Sequence, residues 1–214
     1  MGTAYHVDLF LVRHGVTAWN KEKKYLGHTD LGVMKHELET VKELKQHLQQ
    51  LDFDSVYTSD LRRCRETLSY LDLRTPETVD ERLREMNFGD WEGKTYEELQ
   101  HIQQYRNWVD DWESGATPNG ESGAEFKARI ESFRDDLCHH LEGQDHEKQN
   151  ILIMTHGGVI RYLASTFVAA RTFWELGVKH GQGMRLSLTV EKGEWRCSSL
   201  SAVPFPENET SSRA

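Results

Sequence analysis

The stretch Asn150 to Gly158, "NILIMTHGG", constrains the fold more than any other part of the chain. Four apolar residues follow one another without polar alternation, and the run then stops at Thr155, His156 and two glycines. A run this short cannot cross a membrane. Lacking alternation, it reads as a strand buried on both faces. The helical pattern "VIRYLASTFVAA" follows it directly.

Two further segments repeat this grammar. "VDLFLV" (Val7 to Val12) reads as a buried strand, and so does "FDSVYTS" (Phe53 to Ser59). A helix is expected over Met34 to Leu51, with Leu38, Val41, Leu44 and Leu48 at helical spacing. Another starts at Asp60 with Leu61, Cys64 and Leu68 on one face. "MRLSLTV" and "WRCSSL", around Lys192-Gly193, read as an antiparallel hairpin. Strands alternating with helices imply an α/β domain: a three-layer αβα sandwich with a mostly parallel central sheet and an antiparallel C-terminal edge. Residues 1–203 are expected to form one domain, because no Pro/Gly/Ser-rich linker divides them. The Trp- and Gly-rich stretch from about 86 to 122 reads as an insertion over the sheet edge. The polar tail 204–214 reads as disordered.

Composition narrows the partners. With 214 residues, 37% hydrophobic and 29% charged, the chain has material for a real core. A net charge of −9 argues against a nucleic-acid partner, whose phosphates demand a basic face. A small anionic ligand stays compatible, since a local arginine cluster can create positive potential in an acidic protein. No apolar run reaches membrane-spanning length, and Asp8 interrupts the short apolar run near the start, so no membrane or signal segment is expected and a cytoplasmic location follows. Cys64, Cys138 and Cys197 lack metal-type spacing and read as reduced thiols. Despite 11 histidines there is no HExxH or CxxC, and His139, His140 and His146 sit in a charged stretch, so no metal is assigned.

Three strand ends carry the polar chemistry. The first ends in Arg13-His14-Gly15, the second leads into a helix with Arg62, Arg63 and Arg65, and the third ends in Thr155-His156-Gly157-Gly158. In parallel α/β sheets the carboxyl ends of strands share one edge, where ligands bind. Gly157 and Gly158 open a helix whose free N–H groups favour an anion. Arg62 and Arg65 are expected on the solvated face, whereas Arg63, just before apolar Cys64, should point back toward the strand end. Together these features describe a phosphate site. Within "ERLREM" the residues alone do not choose among Glu81, Arg82, Arg84 and Glu85.

The chain resembles the histidine phosphatase superfamily, also called phosphoglycerate-mutase-like. "LVRHGVTAWN", "YTSDLRRCRET", "RLREMNFGDWEG", "TPNGES" and "MTHGGVIR" match its motifs in order from about residue 7 to 190. The resemblance implies a phosphohistidine intermediate on His14. Arg13, Arg63 and His156 would hold the phosphoryl oxygens and supply positive charge, and Glu85 would be the proton donor and acceptor. Substrate contacts are expected from Asn20, Gly157, Gly27 and His28, with no cofactor. The implied activity is metal-independent hydrolysis of a small phosphorylated metabolite. "LREMNFGDWEGKTYEEL" with "THGGVIRYL" is especially similar to α-ribazole-phosphate phosphatases, making α-ribazole 5'-phosphate one candidate. A phosphoglycerate-type mutase and a non-catalytic phospho-ligand-binding domain are the alternatives, and a homodimer stays open. The segment "LGVMKHELETV" (Leu31 to Val41) departs from the family's Pro-Leu-Ser/Thr helix cap and suggests a shifted helix start. The rings Trp91, Tyr96, Tyr105, Trp108 and Trp112 are expected to pack against the sheet rather than to stack on substrate.

Overall fold

The computed structural model describes residues 5–142, 148–168, 173–191 and 193–204. In chain order it contains β1 (Tyr5–Arg13), α1 (Ala18–Lys21), α2 (Lys42–Leu48), β2 (Ser55–Thr58), α3 (Arg62–Leu71), β3 (Glu77–Val79), α4 (Tyr96–Leu99), α5 (Gln103–Asp110), α6 (Gly123–Glu142), β4 (Lys148–Thr155), α7 (Gly157–Phe167), β5 (Gly183–Glu191) and β6 (Glu194–Val203). The six strands form one sheet in the order β3-β2-β4-β1-β5-β6. β1, β2, β3 and β4 run parallel, and β5 and β6 complete an antiparallel edge. This is the expected mixed α/β sandwich.

The period-2 geometry of strands sorts the core into two layers. Leu9, Leu11, Ile151 and Ile153 face one side, where Phe126, Ile130 and Phe133 of α6 and Ile160 and Leu163 of α7 cover them. Phe10, Val12, Leu152 and Met154 face the other, against Leu44 and Leu48 of α2 and Cys64 and Leu68 of α3. β1 and β4 are buried on both faces, which is why neither alternates in sequence.

The expected helix from Met34 is realised differently. Lys35–Val41 winds as a 3₁₀ helix whose cap, Met34, makes no side-chain hydrogen bond, and the α-helix begins only at Lys42. Without a Ser or Thr cap, the first turn has no acceptor for its free N–H groups. The strand around Asn150 ends at Thr155, before the glycines, and helix α3 starts at Arg62 rather than Asp60. His146, Lys192 and residues 205–214 lie outside the described residues, so all of the expected tail 204–214 except Pro204 does too. Among the described residues, no helix is long and apolar enough to cross a membrane.

Candidate active site

Register between β1 and β4 builds the centre of the site. Arg13 pairs with Thr155, so His14 and His156 leave adjacent strands at the same level, and the His14 N–H donates to the Thr155 carbonyl at 3.1 Å. The two imidazole rings lie 5.1 Å apart between centroids. His14 is buried, and its Nδ1 lies 2.7 Å from the Gly15 carbonyl oxygen. A carbonyl can only accept, so Nδ1 carries the ring proton and Nε2 keeps its lone pair. Burial, then the neighbouring Arg63 and Arg13 charges, hold the His14 pKa well below the ordinary 6.5. The ring is therefore neutral at physiological pH.

Arg63 is fully buried on the first turn of α3. Its Nη2 donates to Gly27 O at 2.6 Å, its Nη1 to Thr29 O at 2.9 Å and its Nε to His156 Nδ1 at 3.2 Å. Since His156 Nδ1 accepts this bond, its proton sits on Nε2, 3.1 Å from Ser59 Oγ. Burial and Arg63 push the His156 pKa well below 6.5. The neutral form is therefore favoured for His156, which donates from Nε2, whereas the resemblance implied that it shares in supplying positive charge. Arg63 and Arg13 stand beside His14 as its cationic neighbours. Arg62 and Arg65 pair with Glu66 and Glu77 on the exposed side, as expected for the solvated face.

Arg13 donates from Nη1 to Val178 O at 3.0 Å, while its buried Nε has no hydrogen-bond partner. Its guanidinium lies over Gly157, where a Cβ would come within 3.0 Å of Cζ. Gly158 admits Glu85 in the same way: a Cβ there would collide with the carboxylate. Glu85 accepts from the Gly158 N–H at 2.9 Å and the Met86 N–H at 3.0 Å, so it caps the start of α7. Its neighbours are spent elsewhere. Arg82 pairs with Asp80 and Asp136, Arg84 pairs with Asp60, and Glu81 stays 78% exposed. Burial thus separates Glu85 from the other charges of "ERLREM".

The remaining expected contacts divide. Asn20 borders the cavity beside His14, and its Oδ1 is committed to the Thr17 N–H and hydroxyl in a capping box. Gly157 borders the cavity as well. Gly27 and His28 do not line it. The Gly27 carbonyl instead holds Arg63, and the His28 N–H donates to Glu92 Oε1 at 2.7 Å. Glu92, which also takes the Thr29 N–H, fixes the loop whose carbonyls fix Arg63. Sequence reasoning assigned no role to Glu92. A second brace holds Glu85: Arg129 donates to the carbonyls of Arg82, Arg84 and Glu85 and pairs with Glu121 at 2.6 Å. Glu121 of the "TPNGES" motif therefore positions Glu85 through Arg129.

From Arg13, His14 and Glu85 a cavity of about 440 Å³ extends outward. Its walls include Tyr25, Phe88, Tyr96, Tyr105, Trp108, Trp112, Phe126, Phe173 and Trp174. The insertion rings do not simply pack on the sheet. Trp91 and Tyr105 form a small core of their own with Leu99, against which Trp108 packs, and Trp112 joins the main core. Tyr96, Tyr105, Trp108 and Trp112 also face the cavity. Arg161 was missed; it stands at the wall with its Nε on Leu176 O at 2.9 Å and its guanidinium 5.7 Å from the rings of Phe173 and Trp174. Among the described residues, no group of three or more His, Cys, Asp or Glu side chains is placed to hold a metal ion.

The family model for the histidine phosphatase superfamily, branch 1, matches residues 9–202. The chain belongs to this superfamily. It is 34% identical over 179 residues to an adenosylcobalamin/α-ribazole phosphatase of Salmonella typhi, covering 81% of this chain and 86% of that protein. It is 28% identical over 215 residues to phosphoserine phosphatase 1 of Hydrogenobacter thermophilus, covering 92% and 100%. The crystal structure of the α-ribazole phosphatase from Shigella flexneri superimposes with a TM-score of 0.77 at 29% identity, covering 90% of this chain and 95% of that one. Family and relatives agree on the activity class, and the chain is a phosphatase.

Proposed function

We propose that this phosphatase hydrolyses the phosphomonoester of an alcohol that carries an aromatic ring, through a phosphohistidine on His14, α-ribazole 5'-phosphate being the leading candidate. The observation that carries the reading is the continuity of a cationic, imidazole-lined end with an aromatic cavity. His14 Nε2 attacks phosphorus while the Gly15 carbonyl holds the ring by its Nδ1 proton. Arg13 and Arg63 offset the charge on the equatorial oxygens, and His156 Nε2–H donates to them once it turns from Ser59. Glu85 gives its proton to the departing alcohol oxygen and later takes one from the water that attacks phosphohistidine. Each half-reaction breaks one P–O or P–N bond and forms the other. No step requires a metal ion, because the arginines supply the charge.

The walls favour the choice of leaving group. Aromatic rings gain from edge-to-face and stacked contacts with a flat heterocycle. Phosphoserine would bring an ammonium and a carboxylate into a mostly apolar cavity at a desolvation cost. The test is a panel in EDTA: α-ribazole 5'-phosphate, phosphoserine, and 3-phosphoglycerate with a bisphosphate primer. Release of phosphate from α-ribazole 5'-phosphate with the highest kcat/KM is expected. Preference for phosphoserine overturns the substrate assignment, phosphoglycerate interconversion overturns hydrolysis in favour of a mutase, and loss of activity in EDTA with recovery on a divalent ion overturns the mechanism.

A further inference from the structure

His180 belongs to no motif of the sequence analysis, yet its ring centroid lies 5.3 Å from that of His14. His14 thus has two imidazole neighbours, His156 and His180. The backbone that presents His180 is tied to the end of β1. Gly181 N–H donates to the carbonyls of Arg13 and His14 at 3.2 and 3.1 Å, Arg13 N–H donates to Gln182 O at 2.9 Å, and Arg13 Nη1 donates to Val178 O at 3.0 Å. Gly181 has φ +69°, and a Cβ there would press on Val41, so this turn demands glycine. A loop tied by four hydrogen bonds holds one imidazole beside the nucleophile.

The polar inventory says what for. His180 Nε2 is buried with no hydrogen-bond partner, and so is Arg13 Nε. A buried donor left unsatisfied costs free energy, and native proteins keep such groups where a ligand completes them. One orphan belongs to the ring beside His14 and the other to the residue that precedes it in the chain. Burial, then Arg13 and Arg63, push the His180 pKa down to about 3, so the ring is a neutral hydrogen-bonding group across the working pH range.

We propose that His180 is a phosphoryl-binding residue, donating from Nε2 to an oxygen of the phosphate that His14 attacks. The assignment rests on His14 marking the phosphate site. With Arg13 Nε it supplies donors on the β5 side of the nucleophile, opposite in sequence origin to Arg63 and His156. A neutral donor here stabilises the anion without raising repulsion among the arginines.

The test measures binding of inorganic phosphate and kcat/KM for an aryl phosphate in His180→Phe and His180→Gln. Phenylalanine keeps a ring and removes both nitrogens; glutamine restores a donor. In the Phe variant, phosphate affinity and kcat/KM should each fall by roughly tenfold or more, and Gln should recover part of the loss. Unchanged phosphate affinity in His180→Phe overturns the proposal, and equal losses in both variants overturn the hydrogen bond. If His180→Phe fails to fold, imidazole ¹⁵N resonances of the wild-type protein decide: those of His180 should shift as phosphate is titrated, and invariance overturns the assignment. Phosphate binding needs no turnover. An active His14→Ala would sink the phosphohistidine reading while leaving the dependence of phosphate affinity on His180 intact, so the two failures separate.

Discussion

The two ends of the cavity are built on opposite principles. At the phosphate end three groups are held at two or more points: His14 by the Gly15 and Thr155 carbonyls, Arg63 by two loop carbonyls and His156, Glu85 by two backbone N–H groups. At the far end aromatic rings meet edge to face, and two of them, Tyr96 and Trp174, are 54% and 63% exposed. Hydrogen bonds to buried charges fix position to tenths of an ångström, and rings offer area with little directionality. On the proposed function this difference divides labour: one end would perform the phosphoryl chemistry, and the other would select what the phosphate is attached to.

Variants at each end should therefore fail in different ways. Glu85→Gln carries the largest expected effect among them, a loss of about 10²–10⁴ in kcat for substrates with poor leaving groups and much less for p-nitrophenyl phosphate. Equal loss for both substrates, measured in a steady-state comparison, would remove Glu85 from the proton transfer. Trp108→Ala should act on the other end alone. We expect kcat/KM for an aromatic phosphomonoester to drop about three- to tenfold while inorganic phosphate binds as in the wild type. If phosphate binding weakens with it, the division of labour is wrong.

A smaller effect is expected from pH. The pKa values of His14, His156 and His180 are lowered in the folded protein, by burial first. Below the unfolded value of 6.5 the unfolded chain takes up protons that the folded site refuses, so stability is full above that pH and declines as pH falls. For a fully buried imidazole such as His14 or His156 the loss is about 1 kcal/mol per pH unit. The stability contributed by Asp8, Asp60 and Asp80, whose pKa values are also lowered, is present above 3.8 and is lost only as pH falls below it, outside this window. The melting temperature should fall from pH 7.5 to 5.5 in scanning calorimetry, and by less in His180→Phe. A flat profile would mean the imidazoles take up protons in the folded state.

The same contrast governs what could be read from sequence. Strand ends are legible, because an apolar run stopping at Arg-His-Gly or Thr-His-Gly places its polar residues at one sheet edge. Glu85 was visible only through family resemblance, since its separation from Glu81 and Arg84 is decided by which side chain reaches the start of α7. Glu92, Arg129 and His180 act through contacts distant in sequence, and no local pattern announces such pairs. β3 escaped notice because its three residues are exposed and short. The long helix α6 did not have to: Phe126, Ile130, Phe133, Leu137 and Leu141 recur at helical spacing and form its buried face. The insertion rings were expected on the sheet, and propensity could not tell a cavity wall from a core.

The central claim is that His14 carries the phosphoryl group. Rapid acid-free quenching of the enzyme with ³²P-labelled substrate in EDTA measures it directly. The account expects an acid-labile, base-stable label on the wild-type protein, absent from His14→Ala together with turnover. A label that persists in His14→Ala, or turnover that survives the substitution, would contradict it.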